Sequence, residues 1–228
     1  MEEQEYREWV KVILQVTFAG ALVTANLTAA KLVAYSLPVI GTLTGSVAAV
    51  AIGVNFFCTD LLSEIYGKRE ARKAVNAAVV AMVVAYGLVF FAIQMPAAES
   101  YADNQAFTTV FSSSYPIILA SILSILVSQN LDISIFHAIK NKTGKGHKWI
   151  RNIGSTATSQ AFDTAFFTIL AFIILPPLFG AGTVPWGVAA GIITAEYIVK
   201  VVVAVVDTPL FYLASGTMER IGIDEASA

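Results

Sequence analysis

The chain has 228 residues, 57% of them apolar and 13% charged, with a mean hydropathy of +0.72, a composition that excludes an ordinary water-soluble domain and makes lipid its main solvent. The net charge of −2 conceals an uneven placement of cations, and nucleic acid is excluded as a direct partner. Cys58 is the one cysteine, so an intramolecular disulfide is excluded as well.

Six apolar stretches, near 10–33, 39–62, 74–95, 115–139, 153–176 and 186–214, can each cross a hydrocarbon core of about 30 Å at about 1.5 Å per residue. Continuous apolar runs indicate helices, because barrel strands alternate. The expectation is an all-α integral membrane protein, a six-transmembrane-helix bundle forming one domain over 1–228. The first stretch follows Glu2, Glu3, Glu5 and Glu8; it lacks the basic start of a signal peptide and is expected to be retained. It carries Asn26 on the face of Gln15, a residue suited to helix-to-helix bonding or to a ligand.

In the second stretch Gly45, Ala49 and Gly53 recur every four residues, a stripe that permits close helix approach. Asp60 lies on the same face and is predicted to point at protein. Glu64 is within helical reach of Lys68. After the third stretch the connection 96–114, with Pro96, Asn104 and Ser112 to Ser114, reads as an ordered loop or short interfacial helix that could serve as a lid.

The fourth and fifth stretches share one pattern, Ser128-Gln129-Asn130-Leu131-Asp132 and Ser159-Gln160-Ala161-Phe162-Asp163. The i,i+3 spacing puts each Gln and Asp on one face, and antiparallel helices can bring the two faces to nearly one depth. Phe136, Phe162, Phe166 and Phe167 are candidate apolar walls. In the sixth stretch Glu196 and Lys200 are spaced for an intrahelical ion pair, with Asp207 further along.

Cations set the orientation. Arg7 and Lys11 precede the first stretch, Lys68, Arg69, Arg72 and Lys73 lie between the second and third, Lys140, Lys142, Lys145, Lys148 and Arg151 between the fourth and fifth, and Arg220 follows the sixth, so these cations fall in every other connection. The connections near 34–38, 96–114 and 177–185 have none. Since cationic loops stay in the cytoplasm, both termini are expected there.

Ionised groups at mid-membrane cost roughly 2.5–3.5 kcal/mol each on insertion scales, so they usually face a cavity or a partner. Here carboxylates outnumber lysines, which suits a cation, a proton or a neutral molecule rich in N–H groups. An ionised carboxylate can take two parallel N–H bonds, as from the edge of a guanine.

Four groups of residues occur in order: Thr59-Asp60-Leu61-Leu62-Ser63-Glu64-Ile65-Tyr66-Gly67 with Ala71-Arg72; Gln129 and Asp132 with Phe136; Ser155-Thr156, Asp163-Thr164 and Ala171-Phe172; and Glu196-Tyr197 with Lys200 and Pro209. Together they resemble the queuosine-precursor transporter family, also described as vitamin uptake transporters, from Asn26 to about Tyr212. The resemblance implies a multi-pass importer in the cytoplasmic (inner) membrane, not an enzyme, for 7-deazaguanines such as the 7-cyano or 7-aminomethyl precursor or queuine. It implies substrate contacts at Asn26, Asp60, Gln129, Asp132, Asp163, Glu196 and Lys200, to which the repeated pattern adds Gln160. Glu196 stands where some members have Asp, and Gln160 where some have Asn. No cofactor or metal is expected; proton coupling and a homodimer stay open.

Two other readings compete. The chain lacks G-x-x-x-x-G-K-[ST], so it could use ATP only as the substrate-binding subunit of an ATPase-driven vitamin transporter. An intramembrane aspartyl protease would also need two aspartates at one depth, but neither Asp132 nor Asp163 has a glycine-flanked context.

Overall fold

The computed structural model describes residues 2–28, 31–37, 41–111, 115–144, 146–180 and 182–220. In chain order the elements are α1 (Glu2–Thr28), β1 (Leu32–Leu37), β2 (Gly41–Ser46), α2 (Ala48–Leu61), α3 (Gly67–Gln94), α4 (Asn104–Phe111), α5 (Tyr115–Thr143), α6 (Lys148–Ile169) and α7 (Trp186–Arg220). A π-turn, Leu62–Tyr66, follows α2, and another, Leu170–Ile174, follows α6. Among the described residues five helical stretches, 4–28, 51–94, 119–143, 148–178 and 186–220, are long and apolar enough to cross a membrane. The protein is a multi-pass, predominantly helical membrane protein.

The main departure from the expected all-α architecture lies between α1 and α2. The first helix ends at Thr28 instead of 33. The second was expected from 39, yet 41–46 form β2, antiparallel to β1 in a register running from Leu32 opposite Ser46 to Leu37 opposite Gly41. Residues 39 and 40 lie outside the described residues. Gly41, Thr42, Thr44 and Gly45 are weak helix formers, and a hairpin satisfies their backbone groups without water. Bonds from Lys31 N to Thr28 O (3.0 Å) and from Val47 N to Lys31 O (2.9 Å) tie the hairpin to its flanking helices.

Gly45 therefore sits in β2 opposite Val33, and the small-residue stripe is not one helix face. Gly53 keeps its packing role, since a Cβ there would lie 2.9 Å from Val203 Cγ1 of α7.

The 44-residue stretch 51–94 would be about 66 Å long if straight, twice a hydrocarbon core. It breaks at Gly67, whose φ of 83° and ψ of 173° suit glycine alone. Leu14, Phe18 and Leu22 of α1 then share one core with Leu61 of α2 and with Val75, Ala78 and Met82 of α3.

Neighbouring helices close a ring in the order α1, α2, α7, α6, α5, α3 and back to α1. Large apolar side chains face outward, among them Val84, Leu88 and Phe91 of α3 and Val206, Leu210 and Leu213 of α7. Buried α6 positions are polar instead: Asn152, Ser155, Thr156, Ser159, Gln160, Thr164 and Thr168. With lipid outside, polar groups find partners only in the ring. The connection 96–114 contains the short helix α4; Ser112 to Ser114 lie outside the described residues.

Candidate functional site

Polar faces at helical spacing build the interior. On α5, residues 121, 124, 125, 128, 129 and 132 form one face; on α6, residues 152, 155, 156, 159, 160 and 163 form the face opposite. The repeated patterns pair reciprocally. Ser128 Oγ of the first donates to Asp163 Oδ1 of the second at 2.8 Å, and Ser159 Oγ donates to Asp132 Oδ1 at 2.9 Å. The antiparallel pairing offsets the two aspartates by about one helical turn, so they serve different layers of the ring.

The first layer is a cavity of about 140 Å³ bounded by α1, α2, α5, α6 and α7. Asn26, Gln129, Gln160, Asp163, Glu196 and Lys200 all line it, beside apolar Ile52, Phe56, Ile125 and Phe167. Asn55, Ser121 and Ser124, which the sequence reading passed over, line it too.

Lys200 Nζ reaches Asp163 Oδ2 at 2.7 Å and Thr164 Oγ1 at 3.2 Å. The expected intrahelical pair with Glu196 gives way to a bridge between α7 and α6, because Asp163 is held toward Lys200. Ser124 and Ser128 hold it by donating to Asp163 Oδ1, each at 2.8 Å. Ser121 donates to Asn26 Oδ1, and Asn26 Nδ2 donates to Leu22 O at 3.0 Å, which spends the Asn26 amide on linking α1 to α5. By contrast, Asn55 Oδ1 and Gln129 Oε1 are buried acceptors without a hydrogen-bond partner among the described residues.

The second layer, about one turn further along α2, α5 and α6, holds Asp60 and Asp132, neither of which lines the cavity. Asp60 is 1% exposed and so faces protein as expected. Asn152 Nδ2 donates to Asp60 Oδ2, while Thr208 Oγ1 donates to Asn152 Oδ1 at 2.8 Å. Asp207 of α7 is buried nearby, with Oδ2 unpartnered among the described residues.

The third layer centres on Glu64. Arg151 Nη2 donates to its Oε1, Lys140 Nζ lies 3.5 Å from Oε2 and Lys148 Nζ 3.6 Å from Oε1. Although Lys68 is within helical reach of Glu64, Glu64 is wholly buried, as is Arg151. The reason is tertiary: the α5 to α6 turn folds over the end of α2, and Arg151 Nη1 fastens that turn by donating to Gly144 O at 2.8 Å and Gly146 O at 3.2 Å. Lys145, in the same turn, lies outside the described residues. Arg7 Nη2 donates to Ile65 O at 3.4 Å, and Lys148 also binds Glu219. The start of α1, the α2 to α3 and α5 to α6 turns and the end of α7 thus meet at one end.

Two signals for the overlooked residues were present. The serines of α5 recur at helical spacing in line with Gln129 and Asp132, and Asn55 lies at i,i+3 from Ile52 in an otherwise apolar run.

Residues 46–214 match the model of the family described as "Putative vitamin uptake transporter". The chain is also 34% identical over 214 residues, covering 92% of its length and 86% of the relative, to a Bacillus subtilis (strain 168) protein named "Probable queuosine precursor transporter". No solved structure matches. With a family model covering most of the chain and a relative of this identity along nearly all of it, the protein belongs to the vitamin uptake transporter family, a family of transporters and not of enzymes.

Proposed function

We propose that this protein imports a queuosine precursor, a planar 7-deazaguanine, across the cytoplasmic membrane. The observation that carries the reading is the pair of buried, unpartnered amide oxygens, Asn55 Oδ1 and Gln129 Oε1, in a cavity that also holds Glu196. Unmet buried acceptors cost free energy until a ligand supplies donors. A deazaguanine offers N1–H, a 2-amino group and a pyrrole N–H on a flat ring that Phe56 and Phe167 can flank. Asp163 already accepts from Ser124, Ser128 and Lys200. The carboxylate of Glu196 is therefore the better acceptor for the N1–H and 2-amino edge. Gln160 bonds the O6 side, Lys200 fixes Asp163, and Asn26 holds the wall. The name of the Bacillus subtilis relative supports the substrate class.

In this reading the single domain has six spans, the stretch 51–94 counting twice because of the break at Gly67. Both termini are cytoplasmic, since the end where Arg7, Arg151, Lys140 and Lys148 gather carries the cationic turns.

The test is binding of 7-cyano-7-deazaguanine to the purified protein. Wild type should bind, and Glu196→Gln and Gln129→Ala should each weaken binding by about tenfold or more, the effect of removing a hydrogen bond to a charged or buried partner. No binding by wild type, or wild-type affinity in both variants, overturns the assignment. Uptake by the chain alone in liposomes excludes the role of a subunit dependent on an ATPase.

A further inference from the structure

The buried acids of the ring differ in their counter-charges. Asp163 has Lys200, and Glu64 has Arg151, Lys140 and Lys148. Asp60, Asp132 and Asp207 are 1%, 3% and 6% exposed and have no cationic partner among the described residues.

The acids that bear on Asp60 are Asp132 from α5, Asp207 from α7 and Glu64 one turn along its own element. The neighbouring cations are turned elsewhere. From α1, Arg7 goes to the Ile65 carbonyl; from α3, Arg72 goes to Ser134. From α6 and α5, Arg151 and Lys140 converge on Glu64, and from α7 Lys200 goes to Asp163. Among the described residues, Cys58, two positions before Asp60, and His137, five beyond Asp132, are further titratable groups of the same helices, both buried.

Three buried carboxylates without a counter-charge make this part of the ring unusual, because each unpaired buried charge costs several kcal/mol. A second observation marks the place. Thr156, 1% exposed, has an Oγ1 without a hydrogen-bond partner among the described residues. It lies on α6 between Asn152, which donates to Asp60, and Ser159, which donates to Asp132. Its hydroxyl shares the face that holds both acids. Among the described residues no group of His, Cys, Asp and Glu could hold a metal ion.

We propose that Asp60 and Asp132 form the proton-binding site that couples substrate movement to a proton gradient, a proposal that rests on the transport reading above. A proton from water on the outer side forms an O–H bond with one carboxylate oxygen of the pair. The same bond breaks on release to water at the cytoplasmic end, with no other bond or oxidation state changed.

The position suits coupling. Asp60 follows Asn55 and Phe56 of the cavity by about one turn, Asp132 follows Gln129 by three residues, and Ser159 adjoins Gln160. On the other side Glu64 lies one turn beyond Asp60, and Arg151 adjoins Asn152. Neutralising the pair thus changes the charge between the substrate cavity and the ionic end. By linkage, if protonation favours substrate binding, substrate binding favours protonation by the same factor.

The experiment uses the full chain in proteoliposomes with radiolabelled 7-cyano-7-deazaguanine. Exchange at equal pH reports passage alone, and accumulation under an acid exterior reports coupling. Wild type should do both, with a protonophore abolishing accumulation. Asp60→Asn and Asp132→Asn should exchange but not accumulate. Exchange by wild type without any response to the gradient overturns the proton site and leaves the transport reading standing, whereas no exchange by wild type overturns both. Accumulation retained in both variants, or lost only in Glu196→Gln, also overturns the assignment.

Infrared spectra of the detergent-purified protein give a reading independent of transport and of either variant's ability to move substrate. Wild type at pH 7 should show a neutral-carboxyl band that weakens in whichever of the two variants folds. An absent band in wild type overturns the proposal.

Discussion

Asp163 shows how a single intramembrane charge is made tolerable. Its Oδ1 accepts from two serines and its Oδ2 from Lys200, so desolvation is offset by three charge-assisted hydrogen bonds. Removing one partner of such a pair strands the other in a low-dielectric setting. Asp163→Asn and Lys200→Met should each destabilise the protein by about 3 kcal/mol. The double variant should cost little more than either single one, because the second change removes the charge that the first left unpaired. Denaturation in detergent checks the cycle, and strictly additive losses would show that the pair contributes nothing as a pair. The Asn26 amide, bonded to Leu22 O and Ser121, illustrates the other use of an intramembrane polar group: it links helices.

At the scale of elements, spacing decides which side chains can meet. The faces of α5 and α6 interlock because two S-Q-x-x-D patterns run in opposite directions, so each serine meets the other's aspartate. The contact of α2 with α7 depends on a missing side chain at Gly53, where a Cβ would lie 2.9 Å from Val203 Cγ1. Gly53→Val should lower stability by about 1–3 kcal/mol through overpacking, and adding Val203→Ala should restore part of the loss. Melting temperatures of the three variants test this; equal losses in the single and double variants would place the strain elsewhere. The hairpin of β1 and β2 is the element that apolar length alone misassigned. Gly41 to Ser46 adjoins a long apolar run, but its glycines and threonines are weak helix formers and threonine favours extended backbone.

Across the whole molecule, the cationic turns meet at one end and the hairpin lies between the opposite ends of α1 and α2. If that cationic end is cytoplasmic, a membrane-impermeant maleimide applied to intact cells should label Asp103→Cys in the 96–114 connection. It should not label Lys142→Cys at the end of α5. Both variants are made on a Cys58→Ala background, and the opposite labelling pattern would invert the topology. Apolar length and charge spacing, which are local properties, were enough to determine from sequence a helical multi-pass protein with polar stripes at Gln129, Asp132, Gln160, Asp163, Glu196 and Lys200. Resemblance of ordered motifs was enough to indicate the family. Which acid is paired could be decided only by tertiary structure. Lys200 has Glu196 at ideal helical spacing and yet binds Asp163, and Glu64 takes Arg151 from 87 residues away instead of nearby Lys68. The same holds for the separation of Asp60 and Asp132 from the cavity and for the burial of Asn55. Helical spacing says which residues share a face, but the energy of a buried charge depends on what the facing helix presents, and that is settled when the ring closes.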